Sequence, residues 1–162
     1  ENPFILFPGI LFHHGNPLSV ARLKKIFLAK RPGLFIRSRE YDDESFDFIH
    51  NYLCLPRWYL ISKYIFQPPV TFNFFNEKEI TKDRWEPEPA VVYIYAWLLF
   101  RELRNEMIFL GGTIGCRESY SGSPNAVATV NFDFGTIKVG SWRTRMVIQA
   151  PAVLPSIKPY TK

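Results

Sequence analysis

The sequence has few of the residues from which catalytic and metal sites are usually built. Its 162 residues include only 2 cysteines and 3 histidines. Cys54 and Cys116 lie far apart with no second pair, so buried free thiols are a simpler interpretation than a metal-binding motif or a disulfide framework. His13 and His14 are adjacent, which in a strand turns them to opposite faces and away from a shared metal. We therefore expect no metal site and no cofactor.

The short motifs of the common enzyme classes are also missing. The chain contains no zinc-protease motif, no nucleophile elbow, no P-loop and no dinucleotide fingerprint. Residues 133–135 spell the kinase tripeptide Asp-Phe-Gly, but the loops that give this tripeptide its function in kinases are absent. The acidic run from Glu40 to Asp47 is more typical of solvated surface than of an acid–base pair. One catalytic alternative stays open, a small cysteine-dependent enzyme in which His50 activates Cys116.

No apolar run is long enough to cross a bilayer as a helix, so we expect no transmembrane span. Such a helix needs about 20 apolar residues, whereas the longest run, Ala90 to Phe100, ends after 11 residues at Arg101 and Glu102. No signal peptide is recognisable, because Pro8 divides the apolar start of the chain and no basic segment precedes it. The chain begins at Glu1 rather than methionine, which fits a processed product or a trimmed chain equally.

The same apolar run is the predicted centre of the fold. Pro89 suits the first turn of a helix, and the glycine pair at 111–112 suits its C-terminal cap. We therefore predict one central helix over residues 89–110, buried in its first half and amphipathic in its second. The apolar residues predicted to share a face of the second half are Leu103, Met107 and Leu110. The strand-forming residues 91–95 leave a pair of strands as the alternative.

Three runs of alternating apolar and polar residues follow in the C-terminal part. They begin near Val130, Thr136 and Trp142 and are separated by glycines at 135 and 140, which predicts an antiparallel meander. The segment Thr113 to Asn125 is rich in glycine and serine and is predicted to be a flexible loop. With the central helix packed on the meander, the predicted fold class is α+β. A mainly β fold is the alternative if the central stretch forms strands.

The rest of the chain is predicted to be one domain flanked by extended arms. Prolines 3 and 8 make residues 1–16 an arm or an edge strand, and three prolines make residues 150–162 a C-terminal arm. Within the single domain, residues 17–149, Ser19 is expected to cap a helix that ends at Lys30. The other predicted elements are a helix from Phe46 to Leu55, a helix or strand from Trp58 to Phe66, a strand from Val70 to Phe75, and a loop from Asn76 to Pro89.

The charge of the chain is mildly positive. Lys and Arg total 20 against 15 acidic residues, for a net charge of +5 and an isoelectric point near 9.3. This excess permits contact with RNA or acidic partners without requiring it. The candidate contacts lie on the first helix and on the polar face of the meander: Arg22, Lys24, Lys25, Lys30, Arg31, Lys138, Arg143 and Arg145. Alternatively, the basic block from Arg22 to Arg39 partly cancels the acidic block that follows it.

These features together predict a non-catalytic structural subunit of a large macromolecular assembly. Aromatic residues make up 17% of the chain and prolines number 13, which suits irregular segments held by large side chains against other protein subunits. A basic face would contact RNA, as in an organellar ribosome, and we expect an intracellular, mitochondrial or otherwise organellar location. The alternatives are an accessory subunit of an organellar membrane complex, a viral coat protein, or the cysteine-dependent enzyme.

Overall fold

A computed structural model shows how the chain folds. It describes residues 4–12, 15–32, 34–36, 47–63, 85–109, 112–119, 126–133, 136–143 and 156–157. The elements are β1 (Phe4–Pro8), β2 (Leu11–Phe12), β3 (Asn16–Pro17), α1 (Val20–Lys30), β4 (Phe35–Ile36), α2 (Asp47–Asn51), β5 (Trp58–Ser62), β6 (Trp85–Glu86), α3 (Ala90–Arg104), β7 (Thr113–Ser119), β8 (Ala126–Asp133), β9 (Thr136–Arg143) and β10 (Ser156–Ile157). Two four-stranded sheets, β1-β5-β10-β6 and β4-β9-β8-β7, accompany the small pair β2-β3. The predicted α+β class is confirmed.

The central helix α3 lies in the middle of the hydrophobic core. Ten of its 15 residues are buried, as expected for a run that is apolar on every side. Trp97 stacks on Phe132 of β8 with 5.6 Å between ring centroids, and Tyr95 contacts Phe7 of β1 at 6.0 Å. The helix α3 therefore packs on the sheet that contains the meander, as predicted. It also contacts β1 of the other four-stranded sheet. The alternative of two strands over residues 89–110 is wrong.

The end of α3 differs from the prediction. The helix ends at Arg104, and Asn105 adopts the left-handed conformation with φ 52° while its N–H bonds the carbonyl of Arg101. Asparagine tolerates this conformation better than most residues, so the glycines at 111–112 are not needed as the cap. The predicted apolar face of the second half is also wrong, since Leu103 is 76% and Met107 49% exposed. Leu110 lies outside the described residues.

The antiparallel meander exists, but its three strands are β7, β8 and β9. Val130, Phe132 and Ile137 are fully buried, in agreement with the predicted alternation. The turn expected near Gly140 is absent, because β9 continues through this residue opposite Thr129 of β8. The third strand comes instead from Thr113–Ser119, where a flexible loop was predicted. Pairing with β8 decided this, because the local glycines and serines favour no strand.

Both terminal segments pair with strands of the same chain. The sequence predicts an arm or an edge strand at the N-terminus, and β1 is the outermost strand of its sheet, antiparallel to β5. Ile5 and Phe7 point into the core, where Phe7 stacks on Tyr59 at 5.5 Å. At the other end, β10 pairs with β5 and β6. The strands Phe4–Pro8 and Ser156–Ile157, which belong to these two segments, pair within the same chain. The predicted domain boundaries stay predictions.

The helix α1 follows the prediction closely. The Ser19 hydroxyl accepts a hydrogen bond from the Arg22 amide at 3.3 Å, and the helix ends at Lys30. The helix α2 is shorter than predicted, and the ambiguous stretch after Pro56 is the strand β5. In the predicted loop 76–89, Trp85–Glu86 forms the short strand β6. The strand predicted over residues 70–75 and the loop residues 76–84 lie outside the described residues.

Candidate interaction surfaces

Three basic side chains converge beside the start of α1. Arg22 and Lys25 are three positions apart on the exposed side of the helix, and His50 from α2 faces the same concavity of about 330 Å³. The Arg22 guanidinium donates a hydrogen bond to the Pro17 carbonyl oxygen at 2.5 Å, which holds it at this position. Ser19 also lines the concavity. We call this group the basic concavity. The two cations of this group, Arg22 and Lys25, suit it to an anionic ligand.

The other candidates on α1 do not join this surface. Lys24 is half-buried on another flank of the helix, and Lys30 lies exposed in the last turn. Arg31 follows the helix and forms an ion pair with Glu102 of α3 at 3.1 Å. Because successive residues turn by about 100° around a helix, a dense run of basic residues is spread around it. The five predicted contacts therefore do not form a single face.

The predicted basic face of the meander lies only partly within the described residues. Lys138 is exposed and pairs with Asp133 across the β8–β9 turn at 3.6 Å. Arg143 occupies a position opposite Ala126 in the same uninterrupted strand as Lys138. The turn expected at Gly140 between these two positions is absent, so Lys138 and Arg143 belong to one strand rather than to two. Arg145 lies outside the described residues. A role in RNA contact stays a prediction for all three.

An apolar surface lies on the outer side of the β1–β5 pair. Strand alternation turns Ile5 and Phe7 inward and leaves Leu6 60% exposed, and on β5 it leaves Trp58 66% exposed. Cross-strand pairing sets Pro8 opposite Trp58 and Leu6 opposite Leu60. We call Leu6, Pro8, Trp58 and Leu60 the outer apolar face. The sequence predicts an apolar N-terminal segment, but the surface exists only because two distant segments pair.

An ion pair with a buried carboxylate connects the two sheets with the central helix. Both carboxylate oxygens of Glu88 accept hydrogen bonds from Nη2 of Arg57, at 3.0 and 3.1 Å, and the Glu88 side chain is only 8% exposed. The Glu88 amide donates to the Tyr93 hydroxyl at 2.7 Å, and its carbonyl accepts from the Arg117 amide of β7 at 3.1 Å. Glu88 therefore joins the residue before β5, the helix α3 and the strand β7. Sequence reasoning did not predict this ion pair, since Arg57 and Glu88 lie 31 positions apart in the chain.

The two thiols have the character of core residues. Cys54 is completely buried, and burial raises the pKa of its thiol to about 11. Such a thiol stays protonated at neutral pH and is a poor nucleophile. Cys116 is also completely buried in β7, whereas His50 is exposed on α2. The structure therefore does not bring Cys116 to the surface where His50 could act on it, which removes the support for the proposed cysteine and histidine pair.

Within the described part of the chain, no three His, Cys, Asp or Glu side chains are grouped so that they could hold a metal ion. None of the described helices has the length and apolarity required to span a bilayer. Comparisons with protein families, curated proteins and solved structures found no match. Function therefore has to be inferred from the surfaces themselves.

Proposed function

We propose that this protein is a non-catalytic structural subunit of a larger macromolecular assembly and that it contacts another protein through the outer apolar face. The observation that carries the proposal is the exposure of Trp58 and Leu6, at 66% and 60%, on one side of a paired sheet. Contiguous exposed apolar surface commonly marks an interaction site. Tryptophan is also among the residues that contribute most to protein interfaces.

The distribution of exposed apolar residues supports a patch rather than scattered surface residues. Of the seven large apolar side chains exposed in the described chain, four lie on the β1–β5 pair or immediately beside it. The other two are Ile10, 41% exposed, in the segment after β1, and Leu55, 50% exposed, in the segment before β5. A hydrogen bond of 2.7 Å from the Gly9 amide to the Arg57 carbonyl holds these flanking segments together.

The test is the replacement Trp58→Ser in the tagged full chain, expressed in its native source. We expect the variant to lose its co-purifying protein partner and to elute at lower mass, since truncating a central aromatic anchor typically costs about 2 kcal/mol or more of binding. The matched control is Tyr52→Ser, which removes an exposed aromatic outside the outer apolar face. Unchanged far-ultraviolet circular dichroism would show that both variants fold. A Trp58→Ser protein that still elutes with its partner would contradict the proposal.

A second function within the same assembly is favoured by the basic concavity. Arg22, Lys25 and His50 converge there from two helices, although 28 residues separate the first from the last. Basic side chains grouped in this way bind phosphate oxygens of nucleic acids without reading their sequence. We propose that this surface contacts RNA, and we place the contact at the basic concavity rather than along the whole of α1.

A further inference from the structure

The open edge of β1 presents backbone groups that a further strand could use. The strand is outermost in its sheet, and the hydrogen bond from Gly9 to Arg57 shows which residues face β5. Alternation in an antiparallel pair then directs the N–H and C=O of Ile5 and Phe7 toward β5 and those of Leu6 toward the open edge. No described residue pairs with Leu6 on that side. Pro8, at the next outward position, lacks an N–H, as is common on edge strands.

An apolar groove runs beside this edge. It lies between β1 and the last turns of α3 and has a volume of about 390 Å³. Leu99 and Leu103 form its helical side, and Leu103 is 76% exposed. An extended chain places alternate side chains on opposite faces, so a strand added to β1 could insert side chains into this groove. The groove and the open edge therefore suit the same kind of ligand.

The charged side chains at the groove favour a negatively charged ligand. Lys63 and Arg104 both line it, but the Lys63 ammonium is neutralised by Glu106 at 2.8 Å. Arg104 is exposed, and its guanidinium lies 5.5 Å from the centre of the Phe100 ring. Among the described residues no carboxylate forms an ion pair with it. One cation at the groove is therefore available to a carboxylate of a partner.

We propose that an extended segment of another protein adds to β1 as a strand, with an apolar side chain in the groove and an acidic side chain against Arg104. The inference rests on the proposed function and identifies the chemistry of the partner segment. Backbone hydrogen bonds at Leu6 hold the added strand in place, and the groove and Arg104 select its side chains.

The experiment removes the outward N–H of β1 without removing a bond to β5. In Leu6→Pro the ring replaces that donor, whereas Leu6→Val keeps it and shortens the same exposed side chain. The probe is a fluorescent peptide with blocked termini and about eight residues, an ordinary strand length. Valine and threonine alternate along it, and glutamate replaces one central threonine. We expect wild type and Leu6→Val to bind it similarly and Leu6→Pro to bind at least about fivefold more weakly, since an outward hydrogen bond is lost.

A charge exchange tests the second half of the proposal and does not depend on how Leu6→Pro folds. Wild-type protein is expected to prefer the glutamate peptide over a lysine peptide by about threefold, the size of an exposed ion pair, and Arg104→Glu is expected to reverse the preference. A peptide that binds none of the proteins, or that binds Leu6→Pro as well as Leu6→Val, overturns the inference.

Two further measurements address other occupants of the edge. Slow hydrogen exchange of the Leu6 amide in the isolated monomer would show that the chain covers its own edge, and rapid exchange supports an open one. A dimer that dissociates on Leu6→Pro would assign the edge to a second copy and overturn the inference. If Trp58→Ser loses the native partner while Leu6→Pro and Arg104→Glu keep it, the result supports an interface at the outer apolar face and contradicts the addition of a strand to β1.

Discussion

Cys54 and Tyr59 show at the scale of single residues how burial changes acid–base behaviour. Burial raises the pKa of the Cys54 thiol to about 11 and that of the Tyr59 phenol to about 12. The Tyr59 hydroxyl donates to the Leu55 carbonyl at 3.2 Å and accepts from the Leu55 amide at 2.9 Å, so it is tied to the backbone. Burial also raises the pKa of Tyr95. These groups stay protonated at neutral pH and somewhat above it, because the fold excludes the water that would stabilise their charged forms.

The raised pKa of Cys54 predicts a loss of stability at alkaline pH. Below about pH 9 the thiol is protonated in both states, but between pH 9 and 11 the unfolded chain releases the proton and the folded chain keeps it. The free energy of unfolding should therefore fall as pH rises through this window, by at most about 1.4 kcal/mol per pH unit from this group. Urea unfolding of wild type and Cys54→Ala measures it, and the variant should show a shallower decline. Equal slopes would contradict the prediction.

At the scale of elements, α1 shows which properties of a helix are local. Its N-terminal cap at Ser19 and its buried residues Val20 and Leu23 can be read from the sequence, because both depend on neighbours within one turn. The grouping of charged side chains from α1 and α2 cannot be read from the sequence, since it depends on how the two helices pack. That packing brings His50 beside Arg22 and Lys25, whereas Lys24 and Lys30 lie elsewhere on the helix.

The basic concavity therefore predicts unequal effects of charge reversal along α1. The double variant Arg22→Glu with Lys25→Glu should weaken binding to a single-stranded RNA oligonucleotide and reduce its salt dependence by about 0.7 for each lost phosphate contact. Lys30→Glu, at the other end of the helix, is the matched control and should retain most of the slope. Fluorescence anisotropy at several salt concentrations measures both quantities. The same loss in the control, or none in the double variant, would contradict a local site.

At the scale of the whole molecule, the ion pair of Arg57 and Glu88 connects parts that are distant in sequence. Glu88 is bound by the residue before β5, by α3 and by β7 at once. The Arg57 guanidinium also lies over the Tyr59 ring, 4.8 Å from its centre. Its partner is buried, but 36% of the Arg57 side chain is exposed, so the two ends of the pair are solvated very differently.

This asymmetry predicts that loss of the cation costs more than loss of the anion. Arg57→Gln leaves a buried carboxylate without its Arg57 partner and should lower the free energy of unfolding by about 2–3 kcal/mol, after allowance for solvent screening at the exposed end. Glu88→Gln leaves an arginine that water can reach and should cost about 1–2 kcal/mol. Denaturant unfolding measures both. Arg31→Gln, which breaks an exposed ion pair, is the control and should cost no more than about 1 kcal/mol. A larger loss for Glu88→Gln than for Arg57→Gln would contradict the prediction.

The strands β1 and β10, which lie far apart in the sequence, belong to the same sheet as β5. The predicted arms were expected to be covered by other molecules. In the structure, one side of β1 is covered by the chain itself, and the outer apolar face remains exposed. The proposed assembly function therefore depends on a sheet surface of a folded domain.

Short-range patterns in the sequence are enough to predict several features of this protein. These are the burial of α3, because its residues are apolar on every side, the cap and C-terminal end of α1, and the alternation within β8 and β9. Three other features follow from contacts between distant parts of the chain: Thr113–Ser119 is a strand, β9 continues through Gly140, and Trp58 lies beside Pro8. The physical reason is that pairing energy and shared burial come from residues far apart in the chain, and no local pattern records them.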